Sequence, residues 1–178
     1  IDRFSEDLDF DCYQLSEADF MAMTDDIVVF LRQMGLKIET RDRQNERLTA
    51  YRRNLYFPEL LFSMGLTGHR EERFLIKREA QDQGMEYQPE VKYVNGCGKF
   101  FPLQVPPDSV LCAMKISALL TRSRGRDFYD TMFLLGLGIE PDYAFLQQRT
   151  GITSKEELKQ AMITLVQKLD MTQKKNDF

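Results

Sequence analysis

The sequence predicts an α+β protein: a mixed antiparallel sheet with one long helix over residues 1–107, then a helical region over residues 108–178 that completes the same compact unit. Three observations predict it. Residues 3–11 alternate between apolar and acidic side chains, as a strand with two unlike faces does. Further short alternating or aromatic-rich runs follow, separated by turn residues, until Pro106 and Pro107. Beyond that pair the apolar positions recur at helical spacing. Strands first and helices second is an α+β layout.

In the first strand Phe4, Leu8 and Phe10 fall on one face and can enter a core, while Ser5, Asp7, Asp9 and Asp11 fall on the other. A helix follows. Ser16 with Asp19 three residues on reads as its capping box. Phe20, Met23, Ile27, Phe30, Leu31 and Met34 read as its core stripe, and Gly35 as its C′ stop. Residues 36–40, 49–57 and 73–81 are strand candidates, the second ending at Pro58 and continuing unevenly towards residue 66. The polar residues 41–47 read as a solvated hairpin turn, with Arg52 and Arg53 in the same mixed basic region and an RNA-facing flank as the minor alternative. Tyr51 and Tyr56 read as sheet packing. Residues 91–94 and 99–105 form a further pair around Asn95-Gly96-Cys97-Gly98, a strong turn signal. Helices are expected from Asp108 or Ser109 to 121, over 126–137 with Phe128, Met132, Phe133 and Leu135 as its apolar positions, over 141–149, and from a Ser154/Glu157 capping box to 169. The polar tail 172–177 is expected to fray.

Composition narrows the function. A chain of 178 residues with 43% hydrophobic content supports a real core. A net charge of −4 excludes a uniformly basic coat for nucleic acid, though not a local basic groove. No apolar run is long enough to cross a membrane, and no secretory signal is visible. Cys12, Cys97 and Cys112 lack metal-ligand spacing and read as free thiols of a reducing, cytoplasmic compartment. The single histidine, His69, argues against a histidine-rich zinc site.

Asp7 and Asp9 are ~7 Å apart along one strand face, two rises of ~3.3 Å. Carboxylates this close repel unless a cation lies between them, and Mg²⁺ takes one or two carboxylates plus substrate phosphates. An acidic, solvated edge strand is the plainer alternative. Lys77 and Glu79 share one face of their strand, away from Phe74 and Ile76, and a surface ion pair explains them equally well. Lys115 sits at the polar edge of an apolar helix, where lysines commonly snorkel. Arg122 and Arg126 can make bidentate contacts with phosphate or nucleic acid. Asp127 opens the next helix, where a carboxylate also suits the dipole.

Two segments together, Arg3-Phe4-Ser5-Glu6-Asp7-Leu8-Asp9-Phe10 and Lys115 through Arg122 to Arg126-Asp127-Phe128-Tyr129-Asp130, resemble the AbiEii/AbiGii toxin family of nucleotidyltransferases, members of the DNA polymerase β-like superfamily. The resemblance spans residues 3 to about 135. It implies a toxin of a toxin–antitoxin, abortive-infection pair that moves a nucleotide from an NTP to an RNA, tRNA or other acceptor with Mg²⁺ or Mn²⁺. A cognate antitoxin would be its partner. By the same resemblance Asp7 and Asp9 are the metal pair and Glu79 of Lys77-Arg78-Glu79 the third catalytic carboxylate. Ser5, Lys77, Lys115, Arg122 and Arg126 bind the nucleotide, and Asp127 completes the catalytic set or orients Arg126 or Lys115. Two departures stand out. Gln81 occupies a position where family members often carry another acid, and the family's upstream Gly-Gly/Ser-Thr phosphate cradle is not among these residues. A degenerate, non-catalytic nucleotide- or RNA-binding module therefore stays as the alternative, with a metal-dependent nuclease as a third reading. The chain as it stands is expected to label an acceptor more weakly than a form carrying the cradle.

Overall fold

The computed structural model describes residues 7–41, 50–82, 84–96 and 98–168, with Asp7 described by its backbone alone. The chain divides into two compact units, residues 2–86 and 87–178. As the sequence predicts, the architecture is α+β, a mixed sheet followed by helices.

The first unit holds β1 (Asp7–Cys12), α1 (Glu17–Gln33), β2 (Glu39–Arg41), β3 (Ala50–Pro58), α2 (Leu60–Ser63) and β4 (Arg73–Asp82). The strand order is β1-β4-β3-β2, with β1 parallel to β4 and the other pairs antiparallel. Helix α1 begins where its capping residue dictates: the Asp19 N–H donates to Ser16 Oγ at 3.1 Å. It stops at Gly35, whose φ of +87° is a left-handed turn that closes the last carbonyls. Val28 of α1 packs with Ile38, Leu55 and Phe57 to form the core of this unit.

The stripe expected to face that core is rotated. Phe20, Thr24 and Val28 are buried, whereas Met23, Ile27, Phe30 and Met34 are exposed. On the packed face Thr24 accepts a hydrogen bond from Arg53 of β3. Leu8 and Phe10 are likewise half exposed rather than in the core. Strand β1 lies two strands away from β3, against which α1 packs. Strand β3 does not continue past Pro58: Glu59 takes a left-handed φ of 60°, and residues 60–63 wind into α2. Lys37 and Arg70 hold the Glu59 carboxylate at 2.7 Å each. Their hydrogen bonds, Lys37 first, keep its pKa below the usual carboxylate range. Most of the expected turn at 41–47 lies outside the described residues.

The second unit holds the hairpin β5 (Glu90–Gly96) and β6 (Lys99–Val105), then α3 (Asp108–Arg122), α4 (Gly125–Gly136), α5 (Tyr143–Thr150) and α6 (Lys155–Lys168). Pro106-Pro107 joins β6 to α3 inside this unit. Helix α3 is the central element and packs on α4, α5 and α6. Its Cys112, Ala113 and Ile116 have no exposed surface. Caps again set the boundaries. Asp142 accepts from the Phe145 N–H at 2.9 Å and opens α5, while Glu157 accepts from Thr153 and Ser154 accepts from Glu157 at the start of α6. In α4 the expected apolar positions Phe128, Phe133 and Leu135 are partly buried. Asp127, Asp130, Thr131 and Leu134 are buried, and Met132 is exposed.

Candidate functional site

Pairing on the sheet decides which predicted residues share a surface. Asp7 pairs in register with Lys77 and Asp9 with Glu79 across β1 and β4. Lys77 pairs with Asn54 and Glu79 with Arg52 across β4 and β3. Paired residues share a sheet face, so Asp7, Asp9, Lys77 and Glu79 lie together on one. Arg53, Leu55, Ile76 and Arg78 alternate onto the opposite face, where Val28 of α1 packs. The acidic face is thus the one turned away from the core of this unit.

Asp9 is exposed, and Glu79 is partly buried beside it. Neighbouring strands run ~4.8 Å apart, so the two carboxylates are adjacent. Arg52 Nη2 lies 2.5 Å from Glu79 Oε1 and holds that side chain. Ser5 lies outside the described residues, and Asp7 is placed by strand register alone. Among the described residues no three His, Cys, Asp or Glu side chains are grouped to hold a metal ion by themselves. Mg²⁺ does not require three, because phosphate oxygens and water complete its octahedron. Hard carboxylate oxygens at adjacent positions on an outward face fit such an ion.

The second group of predicted residues lies on α3 and α4. Lys115 Nζ is 2.9 Å from Asp130 Oδ2. Arg122 grips Asp127 with two nitrogens, Nε at 3.2 Å and Nη2 at 2.8 Å from Oδ1. Asp127 Oδ2 also accepts the Arg124 N–H at 3.1 Å, so this carboxylate caps α4 as well. The orientation anticipated for Asp127 therefore falls on Arg122, not on Arg126 or Lys115. Arg126 is exposed.

Sequence reasoning missed two charged residues in the first unit. Arg53, read as part of a solvated basic region, is buried. Its Nη1 lies 2.7 Å from Asp25 Oδ1 and donates to Thr24 Oγ1 at 2.8 Å and to the Met21 carbonyl at 3.1 Å. Arg78, paired with Arg53 in register, is also buried, and its Nη1 has no hydrogen-bond partner among the described residues. Burial and, secondarily, the Arg53 charge push its pKa down. Parity was the available signal: Arg53 shares a strand face with Tyr51, Leu55 and Phe57, and Arg78 with Ile76 and Ala80. Tyr51 does pack in the sheet, stacked on Phe20 at 5.8 Å, while Tyr56 lies under the Arg41 guanidinium.

The family model for the nucleotidyl transferase AbiEii toxin, of type IV toxin–antitoxin systems, matches residues 1–178. The chain belongs to the AbiEii family. No curated protein matches the sequence. No described helix is long and apolar enough to cross a membrane.

Proposed function

We propose that this AbiEii-family chain transfers a nucleotide from an NTP to a hydroxyl of RNA, including tRNA, or of another acceptor, as the cytoplasmic toxin partner of an antitoxin. The single observation that carries this reading is the register of Asp9 against Glu79, with Asp7 two residues earlier on the same face. Adjacent outward carboxylates are what metal-assisted phosphoryl transfer asks of a protein.

In this reading Asp7 and Asp9 hold Mg²⁺ or Mn²⁺, which when bound neutralises phosphate charge and polarises the reacting phosphoryl group. Glu79 is the acceptor-side carboxylate. Arg52 fixes one of its oxygens, and the other takes the proton from the attacking hydroxyl as the new phosphodiester bond forms and pyrophosphate leaves. Ser5, Lys77, Lys115, Arg122 and Arg126 bind nucleotide phosphates. Their assignment rests on the motif, and Lys115 and Arg122 retain donors for it. A lysine ammonium has three N–H donors and a guanidinium five.

The Arg52–Glu79 ion pair also favours a second reading. A third acid already neutralised by an arginine suits a module that binds nucleotide without transferring it. One experiment separates the two: incubate the protein with NTPs labelled at the α-phosphate, Mg²⁺ and total RNA. Label on an acceptor, lost in Asp9→Asn, is the expected result. NTP binding with no label on any acceptor supports the non-catalytic module, and shortened RNA without incorporation supports a nuclease.

A further inference from the structure

We propose that Asp130 is a positioning residue that holds Lys115 ready for nucleotide phosphate, with Asp127 doing the same for Arg122. The proposal rests on the nucleotide-binding reading given above, and it assigns Asp127 to orientation of a cation rather than to the reacting atoms.

Sequence spacing sets up the arrangement. Lys115 and Arg122 are seven residues apart on α3, two helical turns, and so lie on one face about 10 Å apart. Asp127 and Asp130 are three apart on α4 and share a face as well. Only Ser123 and Arg124 separate the two helices, and so short a connection makes them antiparallel neighbours. Ascending α3 from 115 to 122 therefore runs against descending α4 from 130 to 127. Two ion-pair rungs result, at 2.9 Å and 2.8 Å.

The rungs are asymmetric. The side chains of Asp130 and Asp127 are 2% and 4% exposed, while those of Lys115 and Arg122 are 25% and 53% exposed. The anion of each pair is sunk in the packed helices and the cation stands at the surface. A buried carboxylate has few alternative rotamers, so it anchors the long side chain that meets it. A free lysine or arginine gives up much rotamer freedom when it binds a ligand, and an anchored one has already done so. Neither anchor exhausts its cation. Lys115 spends one of three N–H donors on Asp130. Arg122 spends Nε and one Nη2 donor on Asp127, leaving three of five. Phosphate oxygens can take those that remain. Each rung is neutral as a whole, so its contribution to phosphate binding lies in donor geometry rather than excess charge.

Calorimetric titration of the four NTPs with Mg²⁺ into the whole protein tests this. The variants are Lys115→Met, Asp130→Asn and the double substitution, with melting temperatures measured in parallel. Lys115→Met is expected to weaken NTP binding about tenfold, as loss of a charge-assisted hydrogen bond does. Asp130→Asn should weaken it several-fold although Lys115 remains, and the double variant should bind no worse than Lys115→Met. A purely structural pair gives a different pattern: lower melting temperatures in both single variants, recovery in the double, and Asp130→Asn binding NTP like wild type. Wild-type or tighter NTP affinity in folded Asp130→Asn overturns the positioning role while leaving the nucleotide reading intact, provided Lys115→Met binds weakly. Absence of NTP binding by folded wild type overturns both. Should Asp130→Asn fail to fold, Asp130→Glu takes its place. It keeps the charge but displaces it by one methylene, and wild-type affinity in that variant also overturns the proposal.

Discussion

The two units bury charge of opposite sign. In the first, the buried groups are guanidiniums, Arg53 and Arg78, against a helix whose carboxylate partner, Asp25, is mostly exposed. In the second, the buried groups are carboxylates, Asp127 and Asp130, and the cations stand outward. The difference shows that packing, not composition, sets which charged groups each unit buries. The sheet buries Arg53 and Arg78 on the packed face and carries Asp9, Glu79, Arg52 and Lys77 together on the other. A helix pair that keeps its aspartates inside leaves Lys115 and Arg122 to define its surface. The satisfaction of the buried groups also differs. Asp127 is saturated by Arg122 and the Arg124 N–H, whereas Arg78 Nη1 has no partner among the described residues.

That contrast gives substitutions of opposite outcome. Asp127→Ala removes a helix cap and a bidentate partner at once and should destabilise the protein by about 2–4 kcal/mol, measured by urea unfolding. A loss below about 0.5 kcal/mol would break the comparison, because it would mean that the buried carboxylate is not a stabilising anchor. Arg78→Met should behave differently. A base whose folded pKa is pushed down costs stability at every pH where it is charged, which for arginine is the whole working range. Replacing it with an apolar side chain of similar length should leave stability unchanged or raise it by about 1 kcal/mol. A loss of more than about 2 kcal/mol would show that Arg78 is held by contacts not evident in its surroundings.

The smallest effect concerns two of the three thiols, Cys12 in the first unit and Cys112 in the second. Burial raises the Cys112 thiol to about 11. Cys12 is also raised, first by burial and then by the charges of Asp82 and Asp11, but it is only half-buried. In a Cys97→Ser background, iodoacetamide at pH 8 should modify Cys12 more slowly than free cysteine and leave Cys112 untouched until the protein unfolds. Raising the pH should speed Cys12 labelling as thiolate forms. Equal labelling of both in the folded state would mean that the interior of the second unit opens as readily as the edge of the first.

Much of the fold is legible in single residues because its signals are local. Ser16 and Gly35 bracket α1 by short-range hydrogen bonds, and Gly96 and Gly98 lie where the β5–β6 hairpin reverses for the same kind of reason. Alternation likewise separates Asp7 and Asp9 from Leu8 and Phe10 without reference to any other strand. Which residue meets which is a different matter. Nothing near Asp9 names Glu79 as its neighbour, since they are seventy positions apart and only the parallel pairing of β1 with β4 joins them. The burial of Thr24 on α1 is equally hidden, because its partner is Arg53 in another element. Asp130 reads as one more helix residue until α3 packs beside it and supplies Lys115. Chain-local chemistry thus carried the elements, their caps and the candidate acids and cations. Strand order and helix packing alone chose their partners and buried or exposed their charges, because those choices depend on contacts between segments far apart in the chain.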